Sequence, residues 1–387
     1  MVGVLGLLCS IAPASIDIYL PAFAAIAADF SVPPAAVQRT LGLYMLAYAC
    51  MLPLHGALAD SCGRKPVIAA ALGLYLGASL LCVFAPGLDA LLLGRMLQGA
   101  AAGACSVVAP VMIQDRYGDA ADALARRAMS TLVLILNVSP AAAPIAGGYL
   151  TTAIGWRANF MALASLAVLA LYLCLRHLPE TLPACARQPL DLRLLLRSYA
   201  ALVARREVLV LCLAGAWPVA GQGLIIGGAP DLLLHVLHWQ ATDFGYLFMP
   251  VVAGAMLGAA LAMRVRSGAV LLVIAYGCMA GGALALPLAS PAAPLAVIVP
   301  LATYICGLAM AVPAISLRLL ACAPAHRAAA ASLAGVIQLL MFALASGWGA
   351  PFVAHRPARL GAALLACATL SITAWCAVRP QHGADAR

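Results

Sequence analysis

Charge is what this sequence has least of. Only 9% of its 387 residues are charged, 65% are hydrophobic, and the mean hydropathy is +1.04. A water-soluble domain carries about a quarter of its residues as Asp, Glu, Lys or Arg, so a soluble globular fold is excluded. Paired cysteines are missing as well. The thirteen cysteines stand singly, mostly within apolar stretches such as those holding Cys9, Cys82, Cys105 and Cys306, and no C-x-x-C occurs. That spacing argues against a zinc framework or a disulfide scaffold and suits small apolar residues at helix contacts. Also absent are G-x-S-x-G, H-E-x-x-H, paired catalytic carboxylates and any attached soluble domain, so no enzyme is expected.

What is present is apolar stretch after apolar stretch of about 20 residues, the length that crosses a hydrocarbon core of about 30 Å. Backbone groups in lipid must bond within their own segment, so these stretches read as helices. Twelve are expected, near 2–27, 36–58, 66–85, 90–113, 128–150, 157–178, 207–230, 244–263, 268–289, 294–319, 328–353 and 358–378. The first is not a secretory signal: it lacks a basic flank and carries Asp17. The chain begins almost inside that helix, and a short preceding tail is expected to complete it.

The net charge of +9 serves orientation rather than nucleic-acid binding. Of the 22 Lys and Arg residues, only Arg39, Arg157, Arg356 and Arg359 fall in loops on one side. Arg95 and Arg318 lie inside spans, and the other sixteen fall in loops and tails on the opposite side. That asymmetry is the positive-inside pattern and predicts both termini in the cytoplasm.

The longest polar interval runs from Pro179 to Glu207, contains five arginines and has broken amphipathic character. It predicts a six-helix bundle over 1–178, a cytoplasmic linker over 179–206, a second six-helix bundle over 207–378 and a cytoplasmic tail over 379–387. A half-to-half echo supports duplication. Arg126 to Asn137 and Arg327 to Gln338 share one spacing from arginine to a lone intramembrane amide, and Gly56-Ala-Leu-Ala and Gly258-Ala-Ala-Leu each precede a basic loop.

One loop carries a specific motif, Gly56-Ala-Leu-Ala-Asp60-Ser-Cys-Gly63-Arg64-Lys65. Gly56 permits close helix approach, Gly63 permits a tight turn, and an acid followed by two bases sits at the membrane surface. The motif resembles the G-x-L-a-D-r-x-G-r-[kr] signature of the major facilitator superfamily. Arg95-Met-Leu-Gln98-Gly99 resembles that family's R-x-x-Q-G, and Gly155-Trp156-Arg157 and Leu178-Pro179-Glu180-Thr181 fit it too. Asp17-Ile-Tyr-Leu-Pro21 looks like the D-[IM]-Y-L-P text of the bicyclomycin/chloramphenicol-type (Bcr/CflA-like) drug-efflux branch. The resemblance implies an all-helical fold of two six-helix bundles around a central cavity. It further implies export of a small, largely apolar compound in exchange for protons, with no cofactor beyond the proton gradient. Phenicols, bicyclomycin-like compounds, lipophilic cations or an exported siderophore would suit such a cavity alike. It also implies that Gly56, Asp60, Gly63, Arg64, Lys65 and Asp115 form a conformational gate, Arg64 pairing with Asp115 and Asp60 facing the start of span eleven. Two departures stand out: Ala143 replaces the glycine expected before Pro144 in the span-five antiporter text, and Cys9 stands where some relatives carry a second acid.

Among single residues, Asp17 is the leading candidate. A carboxylate in hydrocarbon costs about 2.5–3.5 kcal/mol on insertion scales, so intramembrane acids mark function by default. Arg95, at similar depth, is its expected partner for proton coupling, with Gln98 at i+3 on the same face. Substrate-binding candidates are Asp17 itself, Tyr44, Tyr48, Gln98, Asn137, Gln222, Tyr304 and Gln338, polar groups in apolar helices. His55, His235 and His238 have no metal-like partner set in sequence and read as surface or interfacial, so no metal site is expected. Expected partners are a small-molecule substrate, protons and the bilayer of the bacterial inner membrane, with no nucleic acid; the protein is expected to be a monomer. A proton-coupled importer or exporter of a metabolite or siderophore on the same fold is the alternative, and a transport-dead sensor the remoter one. If the topology is right, cysteines introduced at positions 193 and 266 should be labelled from the same face of the membrane. Labelling from opposite faces would refute the arrangement.

Overall fold

The computed structural model describes residues 1–117, 122–265, 267–289, 293–323 and 327–378. The 379–387 tail and Arg266 lie outside them, and so does the side chain of Asn137. The described chain is all helix and loop. Span one is α1 (Val2–Asp17), a 3-10 turn at Leu20–Ala22 and α2 (Phe23–Asp29). Then come α3 (Pro34–Cys62), α4 (Arg64–Val83), α5 (Leu88–Tyr117), α6 (Asp122–Ala153) and α7 (Arg157–His177). The second half holds α9 (Arg206–Asp231), α10 (Phe244–Arg264), α11 (Gly268–Ala285) and α12 (Pro294–Cys322). It ends with α13 (Arg327–Leu344), the short α14 (Ala350–Val353) and α15 (Pro357–Ala377). Among the described residues, eleven helical segments are long and apolar enough to cross a membrane. The 32-residue α6, not one of those eleven, lies between the fourth and fifth of them in chain order, which is roughly consistent with the expected twelve. The linker is more ordered than its broken pattern suggests, containing α8 (Leu192–Val203).

Two breaks follow from local chemistry. In span one Pro21 cannot donate to the helical ladder, and the chain tightens into a 3-10 turn just beyond Asp17. Gly63 separates α3 from α4 at φ +103°, a conformation that glycine adopts without steric cost. Large apolar side chains line the perimeter, with Phe84 78%, Met263 84% and Phe352 76% exposed. On a protein in water they would be a liability; facing lipid tails they are in their proper solvent. This is a multi-pass membrane protein.

Within the halves, small residues let backbones touch. A Cβ on Gly99 of α5 would collide with the Tyr44 carbonyl of α3, and one on Gly147 of α6 with the Ile18 carbonyl. Between the halves, close contacts gather toward the face away from the termini, here called the far face. There a Cβ on Gly42 of α3 would lie 2.8 Å from Gly347 Cα and 2.9 Å from the Trp348 ring. Gly347 and Trp348 belong to a π-helical turn, Ala345–Gly349, that continues α13. A Cβ on Gly245 of α10 would lie 2.7 Å from Ile145 of α6. Across the same face, Gln38 Nε2 donates to Asp231 Oδ2 at 2.5 Å. The far face is therefore closed by direct packing of one half on the other.

On the terminal face the linker helix docks on the second half. Leu202 packs in a cluster with Val208, Leu319, Leu333 and Val378, and Tyr199 donates to Ser332 Oγ at 2.7 Å. Because Gly42 sits between halves and Gly99 within one, they should fail differently. Gly42→Val is expected to leave the chain folded while forcing the far face apart, read as a lengthened distance between spin labels on the far ends of α3 and span eleven. Gly99→Val is expected to lower the yield of folded protein instead. Unchanged distances in Gly42→Val would contradict the packing described.

Candidate functional site

Arg95 occupies the middle of the first half and has no solvent exposure. Its guanidinium lies between two aromatic faces, 4.1 Å from the Tyr19 ring centroid and 4.2 Å from that of Tyr44. Each stack is worth about 0.5–2 kcal/mol, more when desolvated. Nη1 donates to Gln98 Oε1 at 2.7 Å and to Ser15 Oγ at 3.2 Å. The shell continues outward, Gln98 Nε2 donating to Ser79 Oγ and the Tyr75 hydroxyl to Ser15 Oγ. The Tyr19 hydroxyl meets Thr40 Oγ1, and Tyr44 donates to the Ala12 carbonyl. Four spans thus converge on one cation, while Arg95 Nε and Nη2 find no partner among the described residues.

Asp17 lies at the C-terminal end of α1, just before the break, and is 4% exposed. It forms no ion pair with Arg95 and no hydrogen bond among the described residues. Of the expected approach to Arg95, directly or through water, the direct ion pair is absent from this conformation. The reason is local: Ser15, two residues earlier on α1, reaches Arg95 first, and residues two apart point to different sides of a helix.

The polar groups expected around the substrate divide. Tyr44, Gln98 and Tyr304 are fully buried. Tyr44 and Gln98 belong to the Arg95 shell, and Tyr304 is wedged against Gly221, donating to the Pro218 carbonyl at 3.5 Å. In this conformation all three bridge helices rather than face open space. Tyr48, Gln222 and Gln338 are half-buried, and Gln338 lines a groove between α12 and α13 with Ser316, Leu319 and Gly335. Asn137 belongs to α6, its side chain outside the described residues.

The loop motif does assemble a cluster on the terminal face. Arg64 Nη1 bonds Asp60 Oδ1 at 2.5 Å, and Nε lies 3.4 Å from Asp115 Oδ2, which also accepts from Thr181. Glu180 completes the cluster. Its carboxylate accepts from the backbone amides of Arg64 (3.0 Å) and Lys65 (3.2 Å), the otherwise unsatisfied N-terminus of α4. Gly63 is demanded twice here, by its positive φ and because a Cβ would lie 2.6 Å from Glu180 Oε2. Lys65 Nζ donates to the Leu175 carbonyl of α7.

Two expectations are corrected. Gly56 is not a point of tight approach, since a Cβ there would meet only Val107 at an ordinary 3.8 Å. The tight crossing of α3 and α5 is twelve residues earlier, at Tyr44 and Gly99, and the helices have diverged by Gly56. Asp60, its side chain 53% exposed, is ion-paired with Arg64 of its own half, which leaves its expected placement near the start of span eleven untouched. His55 is not on the surface but buried, its Nδ1 unpartnered and packed over Gly103 of α5.

The sequence reading missed Asp231, a 3%-exposed acid joined to Gln38 across the two halves. The signal was available: Asp231 is an acid at the end of an apolar span, selected by the same rule as Asp17.

The arrangement of two helical bundles with a buried arginine and a charged loop cluster can be set beside known proteins. The description of the Major Facilitator Superfamily matches residues 5–350. The chain belongs to that superfamily. Over 247 residues it is 31% identical to a bicyclomycin resistance protein homolog of Haemophilus influenzae, covering 63% of this chain and 61% of that protein. Over 260 residues it is 31% identical to multidrug resistance protein D of Escherichia coli, covering 67% of this chain and 64% of that protein. The chain thus spans less than two-thirds of the length of these relatives. Among solved structures, a bacterial homolog of the human lysosomal transporter Spinster aligns with TM-score 0.73 at 16% identity, covering 97% of this chain and 94% of that one, a likeness of fold. For this superfamily member the Glu180 cap yields a stability test. Glu180→Ala should cost about 0.5–2 kcal/mol, the range for losing a helix N-terminal cap, and Glu180→Gln less, because an amide oxygen still accepts. The thermal unfolding midpoint of the purified protein is the measurement, and equal midpoints for all three proteins would contradict the cap.

Proposed function

We propose that this chain is a secondary transporter of the bacterial inner membrane, with both termini in the cytoplasm, that exports a small, largely apolar compound in exchange for protons. The observation that carries the reading is Asp17, a buried carboxylate without a partner among the described residues, at a break in span one. The similarity to resistance proteins supports export, and the sixteen basic residues on one side support the orientation. No covalent step and no cofactor is invoked: the proton gradient is the driving force, and a single chain suffices.

The mechanism is alternating access. With the far face closed by the Gly42–Gly347 and Gln38–Asp231 contacts, exchange proceeds from the terminal face. Opening the far face requires those contacts to break, and Asp17 then meets the outer aqueous phase. Ionised and protonated Asp17 make different demands on hydration, so gaining or losing a proton changes which helix packing is preferred. Arg95 acts through Ser15 on α1 rather than by touching Asp17, transmitting the packing of α5 to the helix that carries the acid. Substrate, held among groups such as Tyr48, Gln222 and Gln338, must favour the opposite packing to that favoured by the proton, because a ligand shifts an equilibrium only through its differential affinity for the two states. The gate cluster of Asp60, Arg64, Asp115 and Glu180 keeps spans two, three, four and six of the first half moving as one body.

Asp17→Asn is the test. In an efflux-deficient host its resistance should fall to the vector-only level. In everted vesicles proton-driven export should drop about tenfold or more, each tenfold being about 1.4 kcal/mol, while binding of an uncharged substrate persists. Wild-type resistance together with undiminished proton–drug exchange would make Asp17 structural and the mechanism wrong.

A further inference from the structure

On the far face, two side chains one helical turn apart meet a third from a segment distant in sequence, outside the proton and substrate sites. Asp231 ends α9, His235 lies in the π-helical turn Leu232–Val236 that continues it, and His355 follows α14. Their ligand atoms all lie within 4.8 Å of one another. His235 Nδ1 is 3.5 Å from Asp231 Oδ1, and the two imidazole centroids are 6.3 Å apart. Two glycines bring the segments together: a Cβ on Gly227 would lie 2.6 Å from the Ser346 carbonyl, and one on Gly228 would lie 2.7 Å from Ala354 Cβ. The backbone next to His355 can therefore press against α9 one turn before Asp231. In sequence His235 had no partner set; folding supplies one from 120 residues away.

We propose that Asp231, His235 and His355 form a binding site for a transition-metal dication of the zinc type. The donor set is two imidazole nitrogens and one carboxylate oxygen, which zinc accepts with a fourth position left to water. Zinc bonds of about 2.0–2.1 Å put neighbouring ligands about 3.3 Å apart, close to the Asp231–His235 separation already present. His355 closes the remainder by side-chain rotation, since it and His235 are solvent-exposed. Hard cations such as calcium or magnesium are disfavoured by a set with one carboxylate. The carboxylate is oriented from behind by Gln38 Nε2, the outer-shell support that metal ligands characteristically have. That support has a mechanical consequence. Gln38 belongs to the other half, so a metal on Asp231 favours the closed far face in which the carboxylate is so held. The site requires nothing of the export reading, and its test uses no transport.

The experiment is zinc titration of the purified, tag-free, full-length protein against a chromophoric chelator, repeated with cobalt to record its visible spectrum. One equivalent of zinc should bind, and His235→Ala or His355→Ala should each weaken it at least tenfold. Both variants alter exposed side chains and should keep the wild-type elution profile and metal-free melting midpoint. Cobalt should give tetrahedral-intensity bands without a thiolate charge-transfer band, distinguishing this site from the exposed Cys50, Cys62, Cys185 and Cys376. Zinc bound equally by wild type and both variants, a thiolate spectrum, or no stoichiometric binding by wild type would each overturn the proposal, leaving Asp231 and His235 a simple ion pair.

Discussion

A guanidinium cut off from water must be solvated by the protein around it, and in this chain that requirement organises the first half. Arg95 is fully buried and meets two tyrosine faces, a serine and a glutamine, each anchored on further polar groups. An isolated charge in hydrocarbon is expensive, so helices that supply parts of this shell are held in register by it. Gly99 shows how closely the scaffold is drawn around the charge. It lies one turn beyond Arg95 and lets α5 rest on the Tyr44 carbonyl, bringing the Tyr44 ring over the cation. The aromatic faces and the Nη1 bonds thus fix the packing of these helices around Arg95, while its Nε and Nη2 remain without partners among the described residues.

The two faces of the molecule are built on different chemistry. The far face is closed by glycine-to-glycine contact and one short hydrogen bond between halves, interactions that vanish cleanly when the halves part. The terminal face is tied by charges, but within the first half: Asp60, Arg64, Asp115 and Glu180 link the ends of α3, α4 and α5 to the chain leaving α7. The proposed exchange mechanism needs rigid bodies and a breakable seam, and the distribution of salt bridges and bare backbone contacts is consistent with both. Asp231 is the exception, an acid set in the seam itself.

Much of this was legible in the sequence because the bilayer makes strong local demands. Spans of about 20 apolar residues can only be helices, and helix ends moved by a few residues at most, Pro34–Cys62 replacing 36–58 for instance. The Arg64–Asp115 proximity was implied by the resemblance to the superfamily rather than by local spacing, since the two residues lie 51 positions apart. What was not legible depends on distances between segments. Tyr304 and Tyr44 read as cavity groups, but whether a phenol faces a cavity or a neighbouring carbonyl is decided by which helix passes in front of it. His235 lacked partners because His355 lies 120 residues on. Asp17 and Arg95 share a depth in the membrane, yet the rotation of α1 about its axis gives Arg95 to Ser15 instead.

The Glu180 cap also bears on the linker. The linker is fastened to the first half at Glu180, and again where the Gln188 amide donates to the Asp60 carbonyl. It joins the second half through α8, which starts at Leu192 and docks by Tyr199 and Leu202. Between Gln188 and Leu192 run only three residues, four Cα–Cα steps and a leash of about 13–14 Å at full extension. Rocking of the halves at the terminal face is thus bounded by chain length as well as by packing. Any excursion beyond that reach must first undock α8 or strip Gln188 from the loop motif, which would make any relative movement of the halves a property of the chain's least hydrophobic segment.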